Sequence, residues 1–107
     1  MTQFDDRERA FESKYARDQE MQFKIVARRN RLLGQWAAKK MGLTEAEADA
    51  YARDVIRADF EEAGDEDVVR KLLGDLVSAG VDASEAEVRT AMAEKHVEAR
   101  RALIGEA

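Results

Sequence analysis

The densest group of side chains able to bind a ligand lies between residues 28 and 40. Its members are Arg28, Arg29, Arg31, Trp36, Lys39 and Lys40. Guanidinium groups bind phosphates in pairs and an indole ring stacks on a base, so this basic cluster is a candidate site for a nucleotide or a nucleic-acid strand. The favoured alternative is structural, because Trp36 lies in helical register with Leu32 and Leu33 and would be core, with the arginines as its solvated rim.

A second candidate is an aromatic stripe in the first fifteen residues. Phe4, Phe11 and Tyr15 are spaced by seven and four residues, which aligns them along one face of a helix. Half of residues 1–20 are charged, so this segment has too little apolar surface to bury when alone. It is either a helix that enters a groove on another protein or an ordinary frayed terminus.

The side chains of most catalytic and metal sites are missing. The sequence has one histidine and no cysteine, and its serines fall near predicted helix caps or polar faces, so a hydrolase-type triad cannot be assembled. A calcium loop begun at Asp65 would place Arg70 at the glycine position and Leu76 at the bidentate glutamate position. No glycine-rich phosphate loop occurs. We therefore expect no catalytic residues, no metal site and no enzyme activity, and we expect His96 to be a partly exposed helix residue.

Length and composition indicate one small helical domain. The chain has 107 residues, no proline, no cysteine and 38% charged residues, with strand-favouring residues sparse. No apolar run approaches the ~20 residues that cross a bilayer, and the absence of cysteine suits a reducing compartment. We expect a cytoplasmic protein that does not insert into a membrane. The net charge of −5 disfavours nucleic acid as a partner.

Glycines and capping residues divide the chain into four predicted helices at 5–41, 45–63, 66–79 and 85–104. Gly42, Gly64 and Gly80 each follow an amphipathic stretch and are typical helix ends. The predicted starts are two capping boxes and one aspartate cap, formed by Thr44 with Glu47, Ser84 with Glu87, and Asp65.

Apolar residues at three- and four-residue spacing give the last three helices one buried face each. These stripes are Ala48, Tyr51, Val55, Ile56 and Phe60; Val69, Leu72, Leu73, Leu76 and Val77; and Val88, Met92, Ala99 and Leu103. The first helix would be about 55 Å long and the others about 30 Å or less. The predicted fold is therefore all-α, a small four-helix bundle with an N-terminal segment that overhangs or is disordered.

Charge is segregated along the chain. Residues 21–42 hold six basic and no acidic side chains, whereas residues 43–83 hold four basic and twelve acidic ones. Intramolecular charge complementarity explains this pattern without a ligand.

Three motifs in order carry a resemblance to a known family. They are FDDRE at 4–8, ARRNRLLG at 27–34 continuing to WAA at 36–38, and ADFEEAGDEDV at 58–68. The chain resembles the zeta-subunit family, which inhibits the F-type ATP synthase of alpha-proteobacteria. The resemblance covers nearly the whole chain and is weakest over the fourth helix. Lys39 and Met41 depart from the pattern, which usually has Glu and Leu there.

The resemblance implies a four-helix protein whose N-terminal segment inserts into the catalytic head and blocks rotation. Residues 1–20 would be a flexible inhibitory segment and residues 21–107 a four-helix domain. The partners would be the catalytic, non-catalytic and rotor subunits, which would place the protein at the inner membrane through the synthase. The implied partner-binding residues are Phe4, Asp5, Asp6, Arg7, Glu8, Phe11, Lys14 and Tyr15.

Two further readings stay open beside the inhibitor. The resemblance implies no required cofactor but allows ADP or ATP as a regulatory ligand, for which the basic cluster is the candidate site. The chain would then be an adenine-nucleotide-binding regulatory module. A small nucleic-acid-binding helical protein is the other alternative, and it would show an affinity that falls steeply with salt.

Overall fold

Four helices account for the fold. The computed structural model describes the backbone of residues 2–61 and 64–105 and the side chains of residues 17–59 and 64–104. The helices are α1 (Thr2–Lys40), α2 (Glu45–Glu61), α3 (Asp65–Ser78) and α4 (Glu85–Gly105). The described backbone contains no strand. The all-α, four-helix prediction is confirmed, with boundaries within three residues of those expected.

The helix α1 occupies the centre of the bundle. It packs against α2 on one side and α4 on the other, and within the described residues α2 and α4 do not contact each other. The helix α3 packs against both α2 and α4 and closes the bundle. The largest side chains of the main core cluster are Leu33, Val55, Val68, Val69, Leu72, Leu76, Val88 and Met92, and Ile25 is also buried.

The expected overhang is a consequence of the length of α1. Its 39 residues span about 58 Å, whereas the 17 residues of α2 and the 21 of α4 span about 26 and 32 Å. The molecule is accordingly 65 Å long and only 27 by 23 Å across. Among the described side chains of α1, which begin at residue 17, the first buried one is that of Ile25. The bundle therefore covers the second half of α1.

Glycine ends α1 and α3 in the same way. Gly42 and Gly80 have φ of 74° and 81°, in the left-handed region that glycine adopts without strain. The amide of Leu43 donates to the carbonyl of Ala38 at 3.0 Å, and that of Val81 donates to Leu76 at 2.9 Å. These are the bonds of a Schellman cap, which satisfies carbonyls that the helix leaves free.

The helix starts differ in part from the predicted ones. Thr44 and Glu47 form the complete capping box, each side chain accepting from the other's backbone amide at 3.2 and 2.9 Å. Ser84 accepts from the amide of Glu87 at 3.2 Å, and the reciprocal bond is absent among the described residues, so only half of that box forms. The prediction that Asp65 is an N-cap was wrong. Gly64 is the N-cap of α3, and no side-chain hydrogen bond caps this helix. The Asp65 carboxylate accepts from an arginine of α1 instead.

One residue of the predicted buried stripes, Val77, is exposed. It is 58% exposed although Leu76 beside it is buried, because it lies to the side of the face formed by Leu72 and Leu76. Phe23 is 55% exposed although it belongs to the apolar half of α1. The side chain of Phe60 lies outside the described residues. The remaining stripe residues are buried or half-buried, as expected.

Gly34 allows α1 and α2 to approach closely. A Cβ added at this position would lie 2.8 Å from the Cα of Ala52, closer than carbon atoms pack without displacement. The absence of a side chain at residue 34 therefore sets the spacing of the two helices.

Candidate functional site

The basic cluster of α1 divides between two faces of the helix. Arg28 and Arg31 are exposed and line a groove of about 560 Å³ together with Leu32 and Ile56. Arg29, Trp36 and Lys40 are spaced by seven and four residues and so share a different stripe of α1. The structure thus does not bring the six predicted residues to one site.

Arg29 is a structural residue in this bundle. The residue is 3% exposed, and its Nη2 donates to Asp65 Oδ1 at 2.9 Å. The Nε and Nη2 atoms also donate to Asn30 Oδ1, at 3.1 and 3.0 Å. The solvated-rim interpretation holds for Arg28 and Arg31 but was wrong for Arg29, because the guanidinium is buried where α1 meets the start of α3.

Trp36 lies at the edge of the core. Its ring is half-buried and packs against the core cluster, which confirms the structural interpretation of this residue. Lys40 Nζ lies 5.2 Å from the ring centroid, within cation–π range, and Lys39 is exposed. The Lys40 ammonium therefore already interacts with the indole ring.

The acidic run after α2 pairs with arginines. The carboxylate of Asp65 pairs with Arg29, and Asp67 pairs with Arg70 at 3.1 Å. Glu66 accepts two bonds from Arg89, at 3.0 and 2.6 Å, which lower the pKa of the Glu66 carboxyl and raise the pKa of the guanidinium. Arg89 also pairs with Glu85. These ion pairs join α1, α3 and α4.

A polar cluster joins α2 to α3. Tyr51 Oη donates to Asp75 Oδ2 at 2.7 Å, and Lys71 Nζ donates to the same oxygen at 3.1 Å. Lys71 also lies 5.3 Å from the centroid of the tyrosine ring. Burial raises the pKa of Tyr51 well above its usual value, and the hydrogen bond to Asp75 raises it further. The phenol is therefore a fixed donor at neutral pH.

Metal and base chemistry find no support among the described residues. No three of their His, Asp and Glu side chains converge on a point where an ion could bind. His96 is half-buried on α4, as predicted, and lines an open concavity with Arg29 and Glu66. No helix in the described part of the chain has the length and apolar character to span a bilayer.

The eight predicted partner-binding residues fall in the first part of α1. Their backbone belongs to this helix, whereas their side chains, from Phe4 to Tyr15, lie outside the described residues. Their role stays a prediction.

Sequence reasoning missed the α2 side of the basic groove. Arg53 is exposed on α2 and, with Ile56, lines the surface that also contains Arg31. Arg53 has the spacing of an ordinary solvent-facing residue. Only the α1/α2 packing places it opposite an arginine distant in sequence.

A comparison with protein-family models identifies one family. The family model described as "ATPase inhibitor subunit zeta" matches residues 1–102. A solution NMR structure is 49% identical in sequence, with a TM-score of 0.71, and the match covers 81% of this chain and 99% of the other. No curated protein matches the chain.

Proposed function

Since the chain belongs to the ATPase inhibitor subunit zeta family, we propose that it inhibits ATP hydrolysis by the F-type ATP synthase through its N-terminal segment. In this proposal residues 1–20 enter the catalytic head between catalytic, non-catalytic and rotor subunits, and so block rotation. Residues 21–107 form the domain that holds the segment. The chain then acts as a regulator and not as an enzyme.

The observation that supports this mechanism is the length of α1. The helix begins at Thr2, yet among the described side chains the core begins at Ile25, and residues 17–20 are all exposed. The sequence of that part supplies an aromatic stripe flanked by charges, which is the pattern of a helix that binds in a groove. Aromatic anchors contribute much of the free energy of such interfaces.

The proposal is tested by substituting an aromatic residue of the stripe. Phe11→Ala should raise the concentration for half-maximal inhibition by about tenfold or more, because it removes one anchor. Phe4→Ala should act in the same direction. The measurement is ATP hydrolysis by the purified synthase head as the inhibitor is titrated.

The matched control is Val77→Ala, which removes an exposed apolar side chain from the bundle. It should inhibit like the unchanged protein. Equal inhibition by Phe4→Ala, Phe11→Ala and Val77→Ala would contradict insertion of the segment.

An adenine nucleotide as regulatory ligand is a second and separate proposal. Its residues are the basic cluster of α1, in which Arg28 and Arg31 make no ion pair with any described residue. Backbone amide NMR shifts confined to residues 28–40 on addition of ADP or ATP would support it. Unchanged spectra at millimolar nucleotide would refute it.

A further inference from the structure

Three concavities lie along the furrow between α1 and α2. Their volumes are about 560, 310 and 200 Å³, and all three share Ile56 as a lining residue. Along α2 the furrow runs from Asp49 to Asp59, a distance of about 15 Å. We call this surface the α1/α2 groove.

The middle of the α1/α2 groove is basic. Arg28 and Arg31 line it from α1 and Arg53 lines it from α2, and all three are exposed. None forms an ion pair with a described residue, although Asp49 lines the same concavity as two of them. In contrast, Arg29, Arg70 and Arg89 are all paired. A chain of net charge −5 thus places three arginines that form no ion pair with a described residue at one groove, whose lining also includes Asp49 and Asp59.

Apolar side chains also line the groove. Leu32 and Ile56 are half-buried and line it from the two helices, and Ala27 and Ala52 add small side chains. Because Gly34 lets α1 and α2 approach closely, both sides of the groove are fixed by packed helices. Rigid surfaces lose little conformational freedom on binding.

We propose that the α1/α2 groove binds an acidic amphipathic helix on the same ATPase head that receives residues 1–20. The identity of the partner rests on the proposed function. Carboxylates of the bound helix pair with Arg28, Arg31 and Arg53, and its apolar side chains contact Leu32 and Ile56.

A helix fits this groove better than a phosphate group does. The groove is bordered by the interiors of α1 and α2, where backbone amides are already bonded within each helix and cannot bind an anion as a helix N-terminus does. An apolar strip between charges is instead the surface that an amphipathic helix recognises. The chain's own residues 1–20 are a poorer occupant, because their six acidic side chains are offset by four basic ones.

The groove gives the inhibitor a second point of attachment. When the bundle is held against the head, the tethered N-terminal segment remains at a high effective concentration near its own site. The groove then adds to the affinity that the segment provides, while only the segment stops hydrolysis.

The test compares two charge-reversed full-length proteins. Arg31→Glu with Arg53→Glu alters the α1/α2 groove, and Arg100→Glu with Arg101→Glu makes the same change in charge on exposed residues of α4. Binding to the immobilised head and inhibition of hydrolysis are measured in parallel at low and moderate salt. Circular dichroism verifies that both variants keep the helical content and melting temperature of the unchanged protein.

The groove variant should bind about tenfold or more weakly, with the difference shrinking as salt rises, yet reach the same inhibition at saturation. The α4 variant should bind like the unchanged protein. The milder Arg31→Gln with Arg53→Gln pair should give an intermediate affinity, which separates lost attraction from added repulsion.

Three outcomes would overturn the assignment. The first is equal affinity of the two charge-reversed proteins for the head, and the second is loss of binding in both. The third is displacement of the unchanged protein from the head by ADP alone. If the unchanged protein binds the head without inhibiting it, the proposed function fails, while the affinity of the groove variant still decides whether the groove is the contact.

Discussion

The Arg29 guanidinium is a buried cation whose carboxylate partner reaches solvent. The Arg29 side chain is 4% exposed and that of Asp65 is 58% exposed. Removing the carboxylate leaves the cation with only the amide oxygen of Asn30. Asp65→Ala should lower the free energy of unfolding by about 1–3 kcal/mol, the range for hydrogen bonds to charged groups. Urea denaturation followed by circular dichroism measures this change.

Asp67→Ala is the matched control, because Asp67 also lies in the first turn of α3 but pairs with the largely exposed Arg70. This substitution should lower the free energy of unfolding by less than about 1 kcal/mol. Equal losses in the two variants would assign the effect to the helix dipole and not to Arg29.

Tyr51 makes the stability of the folded chain depend on pH in the alkaline range. Its pKa is higher in the folded chain than in the unfolded one, so the contribution to stability is complete below the ordinary value of 10.0 and is lost as pH rises above it. In a Tyr15→Phe background Tyr51 is the sole tyrosine. We expect phenolate absorbance at alkaline pH to appear together with loss of helical circular dichroism. Ionisation near pH 10 with the helices intact would contradict the Asp75 hydrogen bond.

Residue types and spacing predicted the environment of some side chains. They identified Trp36 as core and His96 as half-buried, since each follows from its register on a helix. They could not reveal that Arg29 is buried and Arg28 exposed, because adjacent arginines look alike until α3 is placed. Arg53 opposite Arg31 is likewise a product of packing between distant segments.

At the scale of the helices, substitutions at two helical glycines test how closely the helices pack. Gly34→Ala should destabilise the fold by about 1–3 kcal/mol, because the added Cβ collides with the Ala52 backbone and forces α1 from α2. Gly74→Ala lies in α3 with no atom within 4 Å of the new Cβ, and should stabilise by up to about 1 kcal/mol through helix propensity. Thermal unfolding of both variants measures whether each substitution lowers or raises the stability of the fold. A stabilised Gly34→Ala protein would show that the helices separate at no cost.

The helices themselves were predictable because their ends carry local signals. Gly42 and Gly80 provide the left-handed residue of each C-terminal cap, and Thr44 with Glu47 is a reciprocal box within four residues. Asp65 was misassigned as a cap because aspartate is equally suited to the first turn of a helix. The bond from Arg29, which decides between the two positions, is not a local property.

At the scale of the molecule, the buried side chains among the described residues all lie at or after Ile25 in sequence. A chain starting at residue 17 should therefore melt within about 2 °C of the full-length protein. It should also fail to inhibit the synthase head, because the proposed inhibitory segment is removed. Differential scanning calorimetry and the hydrolysis assay give the two readouts. A melting temperature lower by several degrees would indicate that the first residues stabilise the bundle.

Because α1 is unbroken from Thr2 to Lys40, no loop separates its outer end from the Gly34–Ala52 contact. A torque applied to the outer part of α1 is therefore transmitted along continuous helix to the junction with α2. Load on that part becomes strain where the backbones of Gly34 and Ala52 approach each other, and mechanical resistance depends on this junction as well as on contacts farther out along α1.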